Sequence, residues 1–249
     1  MSGRYVALGS SMAAGPGIRP SAPGAPFGSG RSARNYAHLV GERLQLDLLD
    51  VTFSGATTAH VLTERQRGAR PQIDALDGSE ELVTVTIGGN DVGYVPLLMA
   101  ATLPRPARLF PAIGALFDRD LREQALGGVG DSLRAVGTAV RQRAPRARVV
   151  FVDYLTLLPP DGSAAPPLSA TDAELGRHVA TRLEEATAAA AQATDCELVR
   201  AGQASRDHHP WSTDPWTVGA GWPLPWRPTP FHPNAAGMRA VAELVAAQV

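Results

Sequence analysis

Five short apolar runs, at residues 5–8, 46–51, 82–87, 149–152 and 197–199, alternate with longer stretches of helical periodicity. No other feature constrains the fold of this chain so tightly. The runs are bounded mostly by polar or Gly/Pro-rich residues, and several are β-branched, as strands require. They are mostly apolar instead of alternating strictly with polar positions, which agrees with strands covered on both faces. Helical patterns occupy 35–44, a region around 59–66, 121–143, 170–193 and 235–247. Strands that alternate with helices predict an α/β protein, a parallel sheet with helices packed on both sides. The 249 residues, 44% hydrophobic and 19% charged, suffice for a sizeable core and fit a single domain spanning 1–249.

Two segments break this rhythm. Residues 95–117 are apolar but interrupted by Pro96, Pro104, Pro106 and Pro111, and read as an inserted helical flap. Its Leu97, Leu98, Met99, Leu109, Phe110, Ile113 and Phe117 could cover an acyl chain or pack an amphipathic helix on the core. Residues 201–230 have no periodicity and hold all four tryptophans, Trp211, Trp216, Trp222 and Trp226. A loop of that length inside a compact domain points to function. Its tryptophans either line an acyl or aryl pocket or anchor the loop to the body.

A net charge of −1 gives no sign of a nucleic-acid or anionic-membrane partner. Cys196 is the only cysteine, so no intrachain disulfide can form, and it reads as a small buried hydrophobe. No leader pattern is visible, and no apolar run approaches the roughly 20 residues that span a bilayer. These features lead to the expectation of a cytoplasmic protein without stable membrane insertion. They leave oligomeric state open.

In an open parallel sheet, ligands bind beyond the carboxyl ends of the strands. The loops there read Gly9-Ser10-Ser11 after the first strand, 52–58 (TFSGATT) after the second, and Gly88-Gly89-Asn90-Asp91 after the third; Phe231-His232-Pro233 precedes the last helix. Acyl transfer needs a hydroxyl that loses its proton to an imidazole and pre-placed donors for the tetrahedral oxyanion. Singly, each block is an ordinary turn, cap or helix start. Together they supply hydroxyl, imidazole, a close-approach glycine N–H at Gly55 and an amide at Asn90.

On these four blocks, spread over residues 9–237, the chain resembles the SGNH hydrolase superfamily of GDSL esterases and lipases, and especially its actinobacterial branch. The resemblance implies a flavodoxin-like three-layer α/β/α sandwich with a five-stranded parallel sheet. It implies Ser11 as nucleophile, His232 as general base, and an oxyanion hole made by the Ser11 and Gly55 N–H groups with the Asn90 side chain. It implies no metal or organic cofactor. The substrate would be a small-molecule or lipid carboxylic ester, cleaved through an acyl-enzyme. Acyl transfer to a bound alcohol and a non-catalytic binding module on the same fold are the alternatives.

The chain departs from the family pattern in three places. Ser10 stands where the first block usually has aspartate, and Thr229 where many members place the acid that orients the histidine. A neutral imidazole still needs an acceptor for its second N–H. The Thr229 carbonyl would then serve in a Ser–His dyad, with Asp214 in the same loop as the rival acid. Phe53 occupies a position often held by a disulfide cysteine in secreted relatives, which supports a reducing compartment. Asp207-His208-His209 has the look of a metal cluster, but no spaced ligand completes a tetrahedral set.

Overall fold

The computed structural model describes residues 2–222, 224 and 227–249. Five strands, β1 (Arg4–Gly9), β2 (Asp47–Asp50), β3 (Glu80–Thr86), β4 (Arg148–Val152) and β5 (Glu197–Val199), form one all-parallel sheet in the order β2-β1-β3-β4-β5. This is the flavodoxin-like doubly wound order, and its switch point lies between β1 and β3. There Val6 pairs with Val83, Leu8 with Val85 and Gly9 with Thr86.

The helical segments are α1 (Ser11–Ala14), α2 (Tyr36–Leu44), α3 (Thr58–Leu62), α4 (Tyr94–Ala101), α5 (Pro111–Gly114), α6 (Arg119–Arg143), α7 (Ala170–Ala193), α8 (Ala201–Ala204) and α9 (Ala235–Gln248). The main ones start on side-chain caps. Asn35 accepts from the His38 N–H, Asp118 from Leu121, Ser169 from Asp172 and Asn234 from Gly237. Successive β1 side chains point to opposite faces. Val6 and Leu8 join a core built with α3, α4, α6 and α7, while Tyr5 and Ala7 join one built with α2 and α9. The result is the expected three-layer sandwich.

The flap differs from its sequence reading. Its first third is α4, whose Leu97 and Leu98 are fully buried in the core. Pro96 falls in the first turn of α4, where a missing N–H costs nothing, but Pro104, Pro106 and Pro111 each forbid a continuing helix. The chain beyond α4 is therefore broken into 3₁₀ turns at Arg105–Leu109 and Ala115–Phe117 with α5 between them, leaving Leu109 85% and Phe110 66% exposed. The helix expected around 59–66 stops at Leu62, and the chain turns back through a bridge between Gln66 and Ala69.

Candidate active site

β1 ends at Gly9 for a steric reason. Its φ is 151°, and a Cβ there would lie 2.6 Å from the Thr86 carbonyl oxygen. Buried Gln72 fixes this peptide from both sides. The Gly9 N–H donates to Gln72 Oε1 at 2.7 Å, and Gln72 Nε2 donates to the Gly9 carbonyl at 3.0 Å. Phe53 N–H adds a second bond to that carbonyl at 2.9 Å, tying the loop after β2 to the end of β1. Ser11 then opens α1 with its side chain at the floor of a crevice.

Across that crevice His232 Nε2 lies 2.8 Å from Ser11 Oγ, and His232 Nδ1 lies 2.8 Å from the Pro230 carbonyl oxygen. A carbonyl only accepts, so Nδ1 carries the proton and Nε2 is left as the acceptor facing the Ser11 hydroxyl. The ring is buried, and burial, partly offset by the bond to Pro230, pulls its pKa down to about 4. It is neutral at pH 7.

The long loop before α9 holds this histidine in place. Val218 N–H donates to the His232 carbonyl and Phe231 N–H to the Val218 carbonyl, both at 2.8 Å, while Asn234 Nδ2 donates to the Pro215 carbonyl at 2.6 Å. Trp216 stacks on His208 at 4.0 Å between ring centroids, and Trp211 Nε1 donates to the Pro166 carbonyl at 3.2 Å. Neither lines the crevice. Anchoring, and not pocket lining, is what these two tryptophans do; Trp222 is 82% exposed and Trp226 lies outside the described residues.

The crevice has a volume of about 260 Å³ and is lined by Ser11, Pro16, Ser54, Gly55, Asn90, Val95, Pro96, Met99, Thr229 and His232. All the residues expected to act together thus share one cavity. Among the described residues the Ser11 and Gly55 N–H groups have no protein acceptor. Gly55 has a φ of 80°, in the left-handed region. Asn90 Nδ2 donates to the Ala56 carbonyl at 2.8 Å, which orients the amide and leaves its second N–H unspent. Asp91 locks the loops after β2 and β3 together by accepting from the Thr58 N–H and hydroxyl. Of the flap, Val95, Pro96 and Met99 reach the crevice, whereas Leu97, Leu98, Leu109, Phe110, Ile113 and Phe117 do not line it.

One sequence expectation changes. The carbonyl on His232 belongs to Pro230, not Thr229, because Phe231 adopts a left-handed φ of 55° and the turn brings residue 230 under the ring. Thr229 instead donates its N–H to the Pro16 carbonyl at 3.1 Å. Asp214 is no part of this pair: its carboxylate is 3.4 Å from His208 and largely exposed. Among the described residues no group of His, Cys, Asp and Glu is arranged to hold a metal ion, and His208 and His209 spend ring nitrogens on the Asp214 carbonyl and the Trp211 N–H.

Tyr154, in the loop after β4, was not anticipated. Its hydroxyl lies 3.0 Å from Ser10 Oγ and accepts the Gly89 N–H at 3.0 Å, bridging the residue before Ser11 to the residue before Asn90. Burial raises its pKa to about 12, so it stays neutral. No local signal marks either Tyr154 or Gln72, since their partners lie far away in sequence.

Fold and site together define a flavodoxin-like hydrolase scaffold with a serine hydroxyl bonded to a buried neutral imidazole. The family model of GDSL-like lipases and acylhydrolases matches residues 7–240, and the chain belongs to that family. It is a carboxylic ester hydrolase. Lipase 2 of Streptomyces coelicolor is 33% identical over 254 residues, covering 96% of this chain and 83% of that protein. A lipase of Streptomyces rimosus is 27% identical over 238 residues, covering 94% and 81%. The crystal structure of phospholipase A1 from Streptomyces albidoflavus NA297 matches with a TM-score of 0.82 at 24% identity, covering 100% of this chain and 99% of that one.

Proposed function

We propose that the chain cleaves carboxylic esters through an acyl-enzyme on Ser11, with His232 as general base in a Ser–His dyad. The observation that carries this reading is the 2.8 Å contact from Ser11 Oγ to a His232 whose other nitrogen is held by the Pro230 carbonyl. As Ser11 Oγ bonds to the ester carbon, its proton passes to Nε2. The negative charge on the former carbonyl oxygen is met by the Ser11 and Gly55 N–H groups and the free Asn90 N–H. Collapse expels the alcohol, which takes the proton from Nε2. Water, deprotonated in turn by Nε2, then releases the carboxylic acid and restores Ser11.

Tyr154 and Gln72 act as positioning residues, holding Ser10 and Gly9, the two residues before the reacting hydroxyl, and Gly89 beside Asn90. No carboxylate stabilises the imidazolium formed in transit, so the site relies on its oxyanion donors more than a triad does. The test is hydrolysis of p-nitrophenyl acetate and butyrate by the unsubstituted chain and by Ser11→Ala and His232→Ala. Both variants should lose at least about a thousandfold in kcat. A fluorophosphonate should label the parent protein and not Ser11→Ala. Full activity in Ser11→Ala would remove the assignment.

A further inference from the structure

The net charge of −1 conceals a segregation. The crevice is walled and rimmed by residues from four stretches, 5–41, 51–73, 90–117 and 215–242. Glu64 and Asp91 are the acidic residues in the four, and Asp91 is spent on the Thr58 N–H and hydroxyl, whereas each stretch contributes arginines. Arg31 and Arg108 are engaged internally, by the Thr52 carbonyl and by Asp172. Arg19, Arg34, Arg67, Arg105 and Arg227 are exposed and, among the described residues, in no ion pair. At the opposite end of the sheet β2 begins at Asp47, β3 at Glu80 and β5 at Glu197, whereas the carboxylates at the crevice ends of the strands, Asp50, Asp91 and Asp153, are buried or half-buried. Two arginines there are neutralised, Arg4 by Asp77 and Arg148 by Glu197.

The same rim carries bare apolar tips. Phe27 is 92% exposed and Trp222 82%. Their loops are fastened to the crevice itself. Ser54 N–H donates to the Ser29 carbonyl at 2.8 Å, and the Arg67 guanidinium lies against Gly28, beside Phe27. On the other lip Thr229 bonds to Pro16, and Gly17 packs on the backbone of Arg227 and Pro228. Exposed Leu109 and Phe110 follow α4, and their turn is held at the start of α7 by the Arg108–Asp172 bond. Asp161, Asp207 and Asp214 mark where the basic rim gives out toward the β4–β5 side.

We propose that this rim docks the crevice onto an anionic lipid surface. The arginines meet head-group phosphates, and Phe27 and Trp222 enter the boundary between head groups and acyl chains. Arginines alone would suit any polyanion; the intervening aromatic and aliphatic tips select a surface that has an apolar layer beneath its charge. Among the described residues no helix is long and apolar enough to cross a membrane, so the attachment is peripheral. Net charge read from the sequence gave no sign of an anionic-membrane partner because it averages two ends of opposite character. The proposal rests on the ester-hydrolase reading for what the crevice does once docked, deepening it to esters presented at an anionic interface.

The experiment sediments the Ser11→Ala protein, which consumes no lipid, with vesicles of phosphatidylcholine alone or mixed with phosphatidylglycerol. Partition should require phosphatidylglycerol and collapse at high salt. Arg19→Gln, Arg67→Gln and Arg227→Gln should each lower it about fivefold, as loss of one basic residue near such a surface does. Phe27→Ser and Trp222→Ser should lower it further, while Arg43→Gln at the opposite end should change nothing. Equal partition onto both vesicle types, or equal loss from Arg43→Gln, overturns the proposal. So does competition by heparin that is unaffected by Phe27→Ser and Trp222→Ser, which would identify a soluble polyanion as the partner. With Ser11 intact, the rim variants should keep parental rates on soluble p-nitrophenyl acetate. If the parent fails on that ester, the catalytic reading falls while the vesicle result stands.

Discussion

His232 is the residue on which both chemistry and pH response turn. With its pKa pulled down to about 4 by burial, it remains a base well below neutrality. The acid limb of kcat/KM on a soluble ester should therefore lie below pH 5, and a limb near 6.5 would show an imidazole that is not buried as described. Between about pH 6.5 and 4 the unfolded chain takes a proton on this histidine that the folded chain refuses. The associated stability is present in full above that window and is lost as pH falls through it. Asp153 runs the other way. Burial raises its pKa to about 7, and its only partner is the Gly202 N–H on Oδ1, with Oδ2 unpartnered. Between about pH 4 and 7 the folded chain keeps a proton that the unfolded chain releases, so stability falls as pH rises. Asp153→Asn keeps the acceptor for Gly202. It should stabilise the fold by about 4 kcal/mol at pH 8 and by almost nothing at pH 4. Thermal melts at both values check this, and an equal gain at both would show that ionisation is not the cause.

At the scale of elements, the site is a meeting of loops, each held by a partner from elsewhere in the chain. Tyr154 joins the loops after β1 and β3, so Tyr154→Phe leaves a Gly89 N–H without its acceptor and frees Ser10. The expected result is a kcat about tenfold lower with KM little changed, because the donors and the hydroxyl lose alignment more than the substrate loses contact. A change confined to KM would count against a positioning role. The strands were legible in the sequence because strands buried on both faces are written as mostly apolar runs, as in Tyr5–Leu8 and Val149–Val152. The four site blocks were legible because strand ends fix where loops converge. Gln72 and Tyr154 were not, since a hydrogen bond across 63 or 65 residues leaves no local mark. The flap has two readings in the sequence because apolar residues broken by prolines look alike whether core or surface. Its first turns, α4, in fact carry Leu97 and Leu98 into the core.

For the whole molecule, the arrangement of charge matters more than its total. A sheet with all strands parallel sends every functional loop to one end, so a bias in loop composition becomes a polarity of the particle. That polarity predicts two salt responses from one protein. Hydrolysis of a small neutral ester in solution should be nearly indifferent to added salt, whereas hydrolysis of ester lipid in phosphatidylglycerol-rich vesicles should decline steeply. Parallel assays across a salt series decide the matter, and equal sensitivity on both substrates would assign the effect to the site and not to docking.

The carbonyl under His232 has a last consequence, for tolerance of mutation. Where an aspartate orients the imidazole, one side-chain replacement abolishes the support. A peptide oxygen is supplied by every amino acid, so replacing Pro230 need not disturb the tautomer as long as the turn survives. The vulnerable property has moved to the left-handed dihedral of buried Phe231, a conformation that β-branched residues resist. Saturation of the two positions should give a permissive profile at 230 and a narrow one at 231, because what is inherited there is the shape of the backbone and not a functional group.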